Sequence, residues 1–504
     1  MTPNPTYTGR SVPSAARYDQ TGEGVWHPNP ASALIVVEQP SGEAASTLRE
    51  TVDAMREEFE DAGVLANPLR FGSFDEADEG DLAVELVSIS GDTGFNHPEA
   101  YRIEIGGIVR LTAGSERAAA YGLRTILQLL AAGDGLPHGV IADRPVIGER
   151  ALHLDIGRKF YTQEWILDRL REMEQLKLNT LQLHFSENEG FTFESERHPE
   201  VMSERYLTKA QIREIIAEAR RRHITLIPSL DSPGHLGYAL RNKPEWLLTT
   251  AEGEAAKGAL DITNPEAVAF VFDLIDEYAE LFAGSPYFHI GGDEFIQFER
   301  FASYPQLGAH ARDTLGIEGG TEVDAYVSYL NEVAERLERK GFTVRAWNDG
   351  VYRKNREQKV ALKPSVQITY WTKWDPNMAE AQVFLDKGHQ LVNFNDAYFY
   401  YVLGENAGYV YPTGARIYDY WHPGLLPRIA ENRPQEWAAP YPDALIGCSF
   451  SVWSDRPDAQ TEEEVATGLK EPLRALAEKA WTGGKRYEDY EAFAQACEAA
   501  GLRN

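Results

Sequence analysis

Ala151-Leu152-His153-Leu154-Asp155-Ile156 runs into the turn Gly157-Arg158-Lys159, and Thr180-Leu181-Gln182-Leu183-His184-Phe185 follows after an interval long enough for one helix. Two apolar runs of strand length, separated by a polar turn and a helical stretch, form a strand–turn–helix–strand unit. The same rhythm continues downstream, with apolar runs at 225–230, 287–290, 343–347, 366–370, 391–394 and 445–452. Between them, Ile212, Ile215, Ile216 and Ala219 make an i, i+3, i+4, i+7 face, as do Val268, Val271, Phe272 and Ile275. Thr208 with Gln211 and Thr461 with Glu464 fit capping boxes, and Asn264-Pro265 sets a cap residue before a first-turn proline. Eight such units predict a TIM-type (β/α)8 barrel, an α/β fold.

Upstream the pattern differs. Residues 33–37, 82–87 and 101–111 read as strands and 46–59 as a helix; a second helix over 116–130 carries Ala119, Leu123, Ile126, Leu127 and Leu130 on one stripe. This predicts a small α+β domain before the barrel. The expected division is an N-terminal extension (1–30), an accessory α+β domain (31–146), the barrel (147–482) and a C-terminal helical tail (483–504).

A chain of 504 residues with 43% hydrophobic and 25% charged residues has the apolar surface for large cores and is not a disordered or fibrous chain. With 78 acidic against 49 basic residues the net charge is −29, which repels a phosphate backbone and argues against a nucleic-acid partner. No run of about 18 apolar residues is present, so no membrane span is expected. The first 24 residues lack a signal-type apolar stretch, and the expectation is a cytoplasmic protein. Cys448 and Cys497 give no disulfide framework, and neither His184 nor His235 has a cysteine or carboxylate at metal-ligand spacing, so neither metal nor cofactor is expected.

Barrel chemistry gathers where the strands end. The exits present Asp155 and Arg158, His184 and Glu187, Asp231 and His235, Asp293 and Glu294, Trp347 and Asp349, Tyr370 and Trp371, Asn395 and Asp396, and Trp453 and Asp455. Carboxylates beside several indoles suit a sugar, whose hydroxyls need polar partners and whose C–H faces need flat apolar walls. In His289-Ile290-Gly291-Gly292-Asp293-Glu294, two glycines permit a tight turn before adjacent carboxylates. Consecutive strand residues face opposite ways, so the pair shares a site only beyond the regular strand. Sequence neighbours poorly suit a nucleophile and an acid on opposite sides of a scissile bond. Attack by a substrate 2-acetamido oxygen, with Asp293 orienting the amide and Glu294 as acid and then base, fits better.

The barrel resembles the catalytic domain of family 20 glycoside hydrolases, the β-N-acetylhexosaminidases. The resemblance rests on Leu154-Asp155-Ile156-Gly157-Arg158-Lys159-Phe160, Leu176-Lys177-Leu178-Asn179, Leu183-His184, Asp231-Ser232-Pro233-Gly234-His235 and the Gly-Gly-Asp-Glu segment. Tyr121 to Leu130 resembles the end of that family's accessory domain. The resemblance implies an exo-acting retaining hydrolase that releases terminal β-linked GlcNAc or GalNAc from oligosaccharides or glycoconjugates. Catalysis falls to Asp293 and Glu294, and binding of the 3- and 4-hydroxyls to Arg158. Trp347, Trp371 and Trp453 would wall the acetamide pocket, Asp455 would fix outer hydroxyls, and His235 would support the site. A tyrosine of 398–401 would donate to the acetamide oxygen; of Tyr400 and Tyr401, Tyr401 is preferred. Two segments depart from the family text: Glu187-Asn188-Glu189-Gly190-Phe191-Thr192 replaces a stretch ending in Gly-Trp-Arg, and Tyr401-Val402-Leu403 replaces Tyr-Leu-Asp. Gln182 and His184 together resemble lacto-N-biosidases, which release a disaccharide, so that activity stays open; a sugar-binding protein without catalysis is the remaining alternative. Family members can borrow a residue from a neighbouring subunit, which puts a homodimer among the expectations.

Overall fold

The computed structural model describes residues 11–28, 32–37, 43–61, 70–87, 96–133, 135–428 and 433–502. Eight parallel strands close into a barrel: Glu149–Asp155, Thr180–His184, Thr225–Ser229, Tyr287–His289, Thr343–Trp347, Gln367–Tyr370, Leu391–Asn393 and Leu445–Trp453. Closure is made on both sides of the last strand, where Leu391 pairs with Leu445 and Ser449 with Ala151. All eight predicted strands are present, shifted by one or two residues at some ends. A helix does not follow every one. Residues 348–366, after the fifth strand, hold none, and the helix after the sixth spans only Ala381–Asp386.

The capping signals act as read. Thr208 and Thr461 accept from the backbone of Gln211 and Glu464, whose side chains reach back, and Asn264 caps the helix Pro265–Leu281. The acidic run Glu462-Glu463-Glu464 occupies the first turn of Glu462–Thr482, where negative charge meets the positive helix end. Inside the barrel, Arg345 donates to both oxygens of Glu149 at 2.7 and 2.6 Å and to Gln367 at 2.9 Å. This satisfied ionic plug lies at the start of the first strand, so the open end is the one where the strands finish. No helix among the described residues is long and apolar enough to cross a membrane.

Ahead of the barrel stands a seven-stranded mixed sheet with helices Glu43–Asp61 and Glu116–Ala131. Two expectations need correction. Residues 17–26, assigned to an N-terminal extension, form an edge strand paired antiparallel with Leu136–Asp143. The run 101–111 is not one strand but a hairpin of Tyr101–Ile105 and Val109–Ala113, because Gly106 and Gly107 break it. The Leu176-Lys177-Leu178-Asn179 motif binds the two domains together. Lys177 Nζ donates to Tyr101 and Thr125 at 2.8 Å, and Asn179 Nδ2 to Glu99 at 2.8 Å, while Arg150 takes the other Glu99 oxygen at 2.8 Å. These groups are buried, so their hydrogen-bond pairing fixes how the accessory sheet seats on the barrel.

Candidate active site

The fourth strand ends at His289, and the chain then turns through Gly291 (φ +73°) and Gly292 (φ +86°). A Cβ on Gly291 would lie 2.7 Å from Asp231 Cα, a clash only glycine avoids. The Gly291 carbonyl accepts from Trp347 N–H at 2.9 Å, and the Gly292 carbonyl accepts from the Tyr326 hydroxyl. Asp293 and Glu294 therefore lie past the regular strand, and Glu294 takes a left-handed φ of +43° while its N–H donates to Asp349 Oδ2 at 3.2 Å. With alternation broken, both carboxylates reach one cavity of about 480 Å³ at the mouth of the barrel.

Of the residues expected at the site, Arg158, His235, Asp293, Glu294, Trp347, Trp371, Trp453 and Asp455 line this cavity. Tyr401, Gln182 and His184 do not. Tyr401 points outward: its hydroxyl donates to Gln460 at 3.0 Å, its ring meets Tyr411 at 4.4 Å, and it fills the space over Gly468 of the last barrel helix. Tyr400 takes the inner face, parallel to Trp371 at 5.8 Å, with its hydroxyl against the Trp453 indole and in the field of Asp293. Gln182 lies deeper in the barrel and donates to Ser229 at 3.3 Å. His184 also stands behind the cavity, between Ser229 at 3.3 Å and Glu187 at 3.4 Å. The pattern that suggested disaccharide release therefore makes no wall of the pocket.

Glu187, in the segment that departs from the family text, is the electrostatic centre. Its carboxylate accepts from Arg158 Nη2 at 2.7 Å and His235 Nδ1 at 3.0 Å. Arg158 also reaches Asp155 at 3.0 Å and Glu189 at 3.3 Å, so three acids hold its fork at the cavity edge. His235 Nε2 lies 3.4 Å from Asp293 Oδ2 and 3.5 Å from Glu294 Oε2. Burial alone would push the His235 imidazole down, yet Glu187 and Asp293 hold it well above its ordinary value, as an imidazolium. Glu187 shows the converse: burial raises it, while His235 and Arg158 bring it well below the usual carboxylate range.

The neighbouring acids are set apart. The adjacent His235 imidazolium lowers Glu294 against its partial desolvation. Asp293 is held well above the usual range by burial, and Asp231, Asp349 and Glu294 add to the rise against the pull of His235. Asp293 Oδ1 is buried with no hydrogen-bond partner. Burial and the neighbouring acids thus favour the neutral form of Asp293, while Glu294, with its side chain 56% exposed, is favoured as the carboxylate.

Five cavity residues besides Tyr400 and Glu187 were outside the expected set: Trp374, Asp396, Val402, Ala407 and Tyr409. Asp349 supports the wall, accepting from Trp371 Nε1 at 3.0 Å; burial raises it to about 6, and Asp396 likewise. Glu187, Asp349 and Asp396 are among the strand-exit residues read from the sequence, which gave them no particular role. Asn406, from the loop after the short strand Tyr400–Val402, donates to Asp455 at 3.0 Å and closes the opposite side.

Known proteins resemble the chain in sequence and in fold. A lacto-N-biosidase of Bifidobacterium bifidum is 28% identical over 394 residues, covering 77% of this chain and 33% of that protein. A β-hexosaminidase of Vibrio vulnificus is 25% identical over 464 residues, 76% of this chain and 53% of that one, so the chain spans about half or less of these relatives. The crystal structure of a β-N-acetylhexosaminidase from Bacteroides fragilis has the same fold: TM-score 0.75 at 19% identity, over 98% of this chain and 94% of that one. The accessory sheet, residues 26–144, matches "Glycosyl hydrolase family 20, domain 2", and 149–484 matches "Glycosyl hydrolase family 20, catalytic domain". The chain, matched over two-thirds of its length by that catalytic-domain model and carrying a barrel whose fourth strand delivers two adjacent carboxylates beneath an aromatic wall, belongs to glycosyl hydrolase family 20.

Proposed function

We propose that the chain is an exo-acting, retaining β-N-acetylhexosaminidase that uses the 2-acetamido group of its substrate as the nucleophile. The observation that carries this reading is the shared contact of Asp293 and Glu294 with His235 Nε2. Carboxylates on adjacent residues that both approach one nitrogen suit a pair working from one side of the substrate better than a protein nucleophile and an acid that flank the sugar ring. Asp293, buried and with its neutral form favoured by burial and the neighbouring acids, is also a poor nucleophile. The indoles of Trp347, Trp371 and Trp453 with Tyr400 form an apolar box suited to an acetamide methyl.

The steps follow from the geometry. Docking presents the amide N–H to Asp293, which favours its ionised form, while the sugar excludes water from Glu294 and favours its neutral form. Binding therefore favours passage of a proton from Asp293 to Glu294, with His235 between the two. The acetamide oxygen bonds to C1 as the glycosidic C–O bond breaks, and Glu294 protonates the departing oxygen. Asp293 then faces the positive oxazolinium nitrogen. Water attacks C1, gives its proton to Glu294, and the β configuration is restored.

The decisive comparison is between p-nitrophenyl β-GlcNAc and p-nitrophenyl β-glucoside. Turnover of the acetamido substrate should be faster by about 10³-fold or more, since an intramolecular nucleophile is worth at least that. Comparable rates on the two would overturn the reading. The tyrosines give a second check. Tyr400→Phe should lower kcat/KM by about 10²-fold through loss of a donor to the developing charge, whereas Tyr401→Phe should change it less than threefold. The reverse order would place the acetamide elsewhere.

A further inference from the structure

Trp374 is set apart from the other cavity aromatics by being 62% exposed, while Trp347 is buried and Trp371 and Trp453 are half-buried. Its position is not that of a loose loop tip. Next to it, Asp375 pairs with Arg353, and Lys373 Nζ donates to the carbonyls of Asp375 and Pro376 at 3.2 and 3.1 Å. Arg353 donates to the Asp349 carbonyl at 3.3 Å and stacks 4.1 Å over Phe298, and Asp349 in turn holds Glu294 N–H and Trp371 Nε1. The loops after the fourth, fifth and sixth strands are thus tied into one rim, and this rim carries both Glu294 and Trp374.

On the same wall Asp396 accepts from Thr372 at 2.9 Å and Tyr409 at 3.2 Å, placing hydroxyl-bonding groups beside the exposed indole. The other side of the cavity is occupied by Arg158 and by Asp455 with Asn406. An acid that protonates a glycosidic oxygen must stand beside the departing group, so the departing group lies along the Glu294 rim. We propose that Trp374 is the stacking platform for the leaving-group sugar and selects β-linked amino-sugar oligosaccharides over glycosides of small alkyl alcohols. This inference rests on the function proposed above.

The test compares kcat/KM for N,N′-diacetylchitobiose and methyl β-GlcNAc. In Trp374→Ala the ratio of the two should fall about tenfold, the scale of one lost aromatic stacking contact, and Trp374→Phe should recover most of it. An unchanged ratio in Trp374→Ala overturns the inference. Calorimetric binding to the Glu294→Gln protein separates this from failure of the parent reading. If the native protein hydrolyses neither substrate, that reading fails, while the affinity for chitobiose relative to GlcNAc still reports on Trp374. Loss of that preference on adding Trp374→Ala supports the platform, and its retention refutes it.

Discussion

Glu294→Gln should lower kcat on N,N′-diacetylchitobiose by about 10²–10⁴-fold, the range for removing a positioned acid–base group. The leaving oxygen of a sugar is a poor anion, so bond breaking waits on the proton that only Glu294 is placed to give. The amide keeps the size of the side chain and leaves the Glu294 N–H bond to Asp349 intact, so the loss is chemical and not structural. An activated leaving group distinguishes this from general damage. With 2,4-dinitrophenyl β-GlcNAc the first step needs no acid, and the deficit should shrink to the water-attack step. Azide, which attacks without a base, should then restore turnover and yield the β-glycosyl azide. An equal deficit on both substrates with no azide effect would remove Glu294 from the acid–base role.

How far the sequence could be read depended on whether a residue's direction follows from a regular element. The barrel was legible because each strand is an apolar run followed by a polar exit, and the arrangement of exits follows from closure. Asp293 and Glu294 were legible for the opposite reason: two glycines announce a break in alternation, and φ of +73° and +86° at those positions is that break. Tyr400 was not. It opens a three-residue strand immediately after the short helix Asp396–Phe399, so the phase of the preceding barrel strand is lost before the chain reaches it. Alternation says that Tyr400 and Tyr401 face opposite ways and cannot say which faces in; the space over Gly468 decides, and that lies in another helix. The edge strand at 17–26 was hidden likewise, since RYDQTGEGVW has little apolar alternation and gains its order from pairing with Leu136–Asp143. Trp374 looks like any loop tryptophan in sequence, and only its exposure at the mouth sets it apart.

Asp293→Asn should lower kcat by about 10²–10³-fold and also move the pH optimum to the acid side. The first effect is loss of the negative charge facing the oxazolinium nitrogen. The second follows from the resting protonation of the pair. In the native site the neutral form of Asp293, favoured by burial and the neighbouring acids, would hold the proton that binding passes to Glu294. Asparagine stores none, so Glu294, held down by the neighbouring His235 imidazolium, must be protonated from solvent. A carboxyl with a lowered pKa is neutral only at lower pH, so the active fraction of the variant grows as pH falls where the native enzyme is already at its plateau. The native profile should be a bell, its acid limb set by a second proton entering the pair and its alkaline limb by loss of the first. Coincident profiles for the native and Asp293→Asn proteins, or a variant optimum moved to higher pH, would mean that Asp293 holds no proton for Glu294. Its role would then reduce to holding the amide in place.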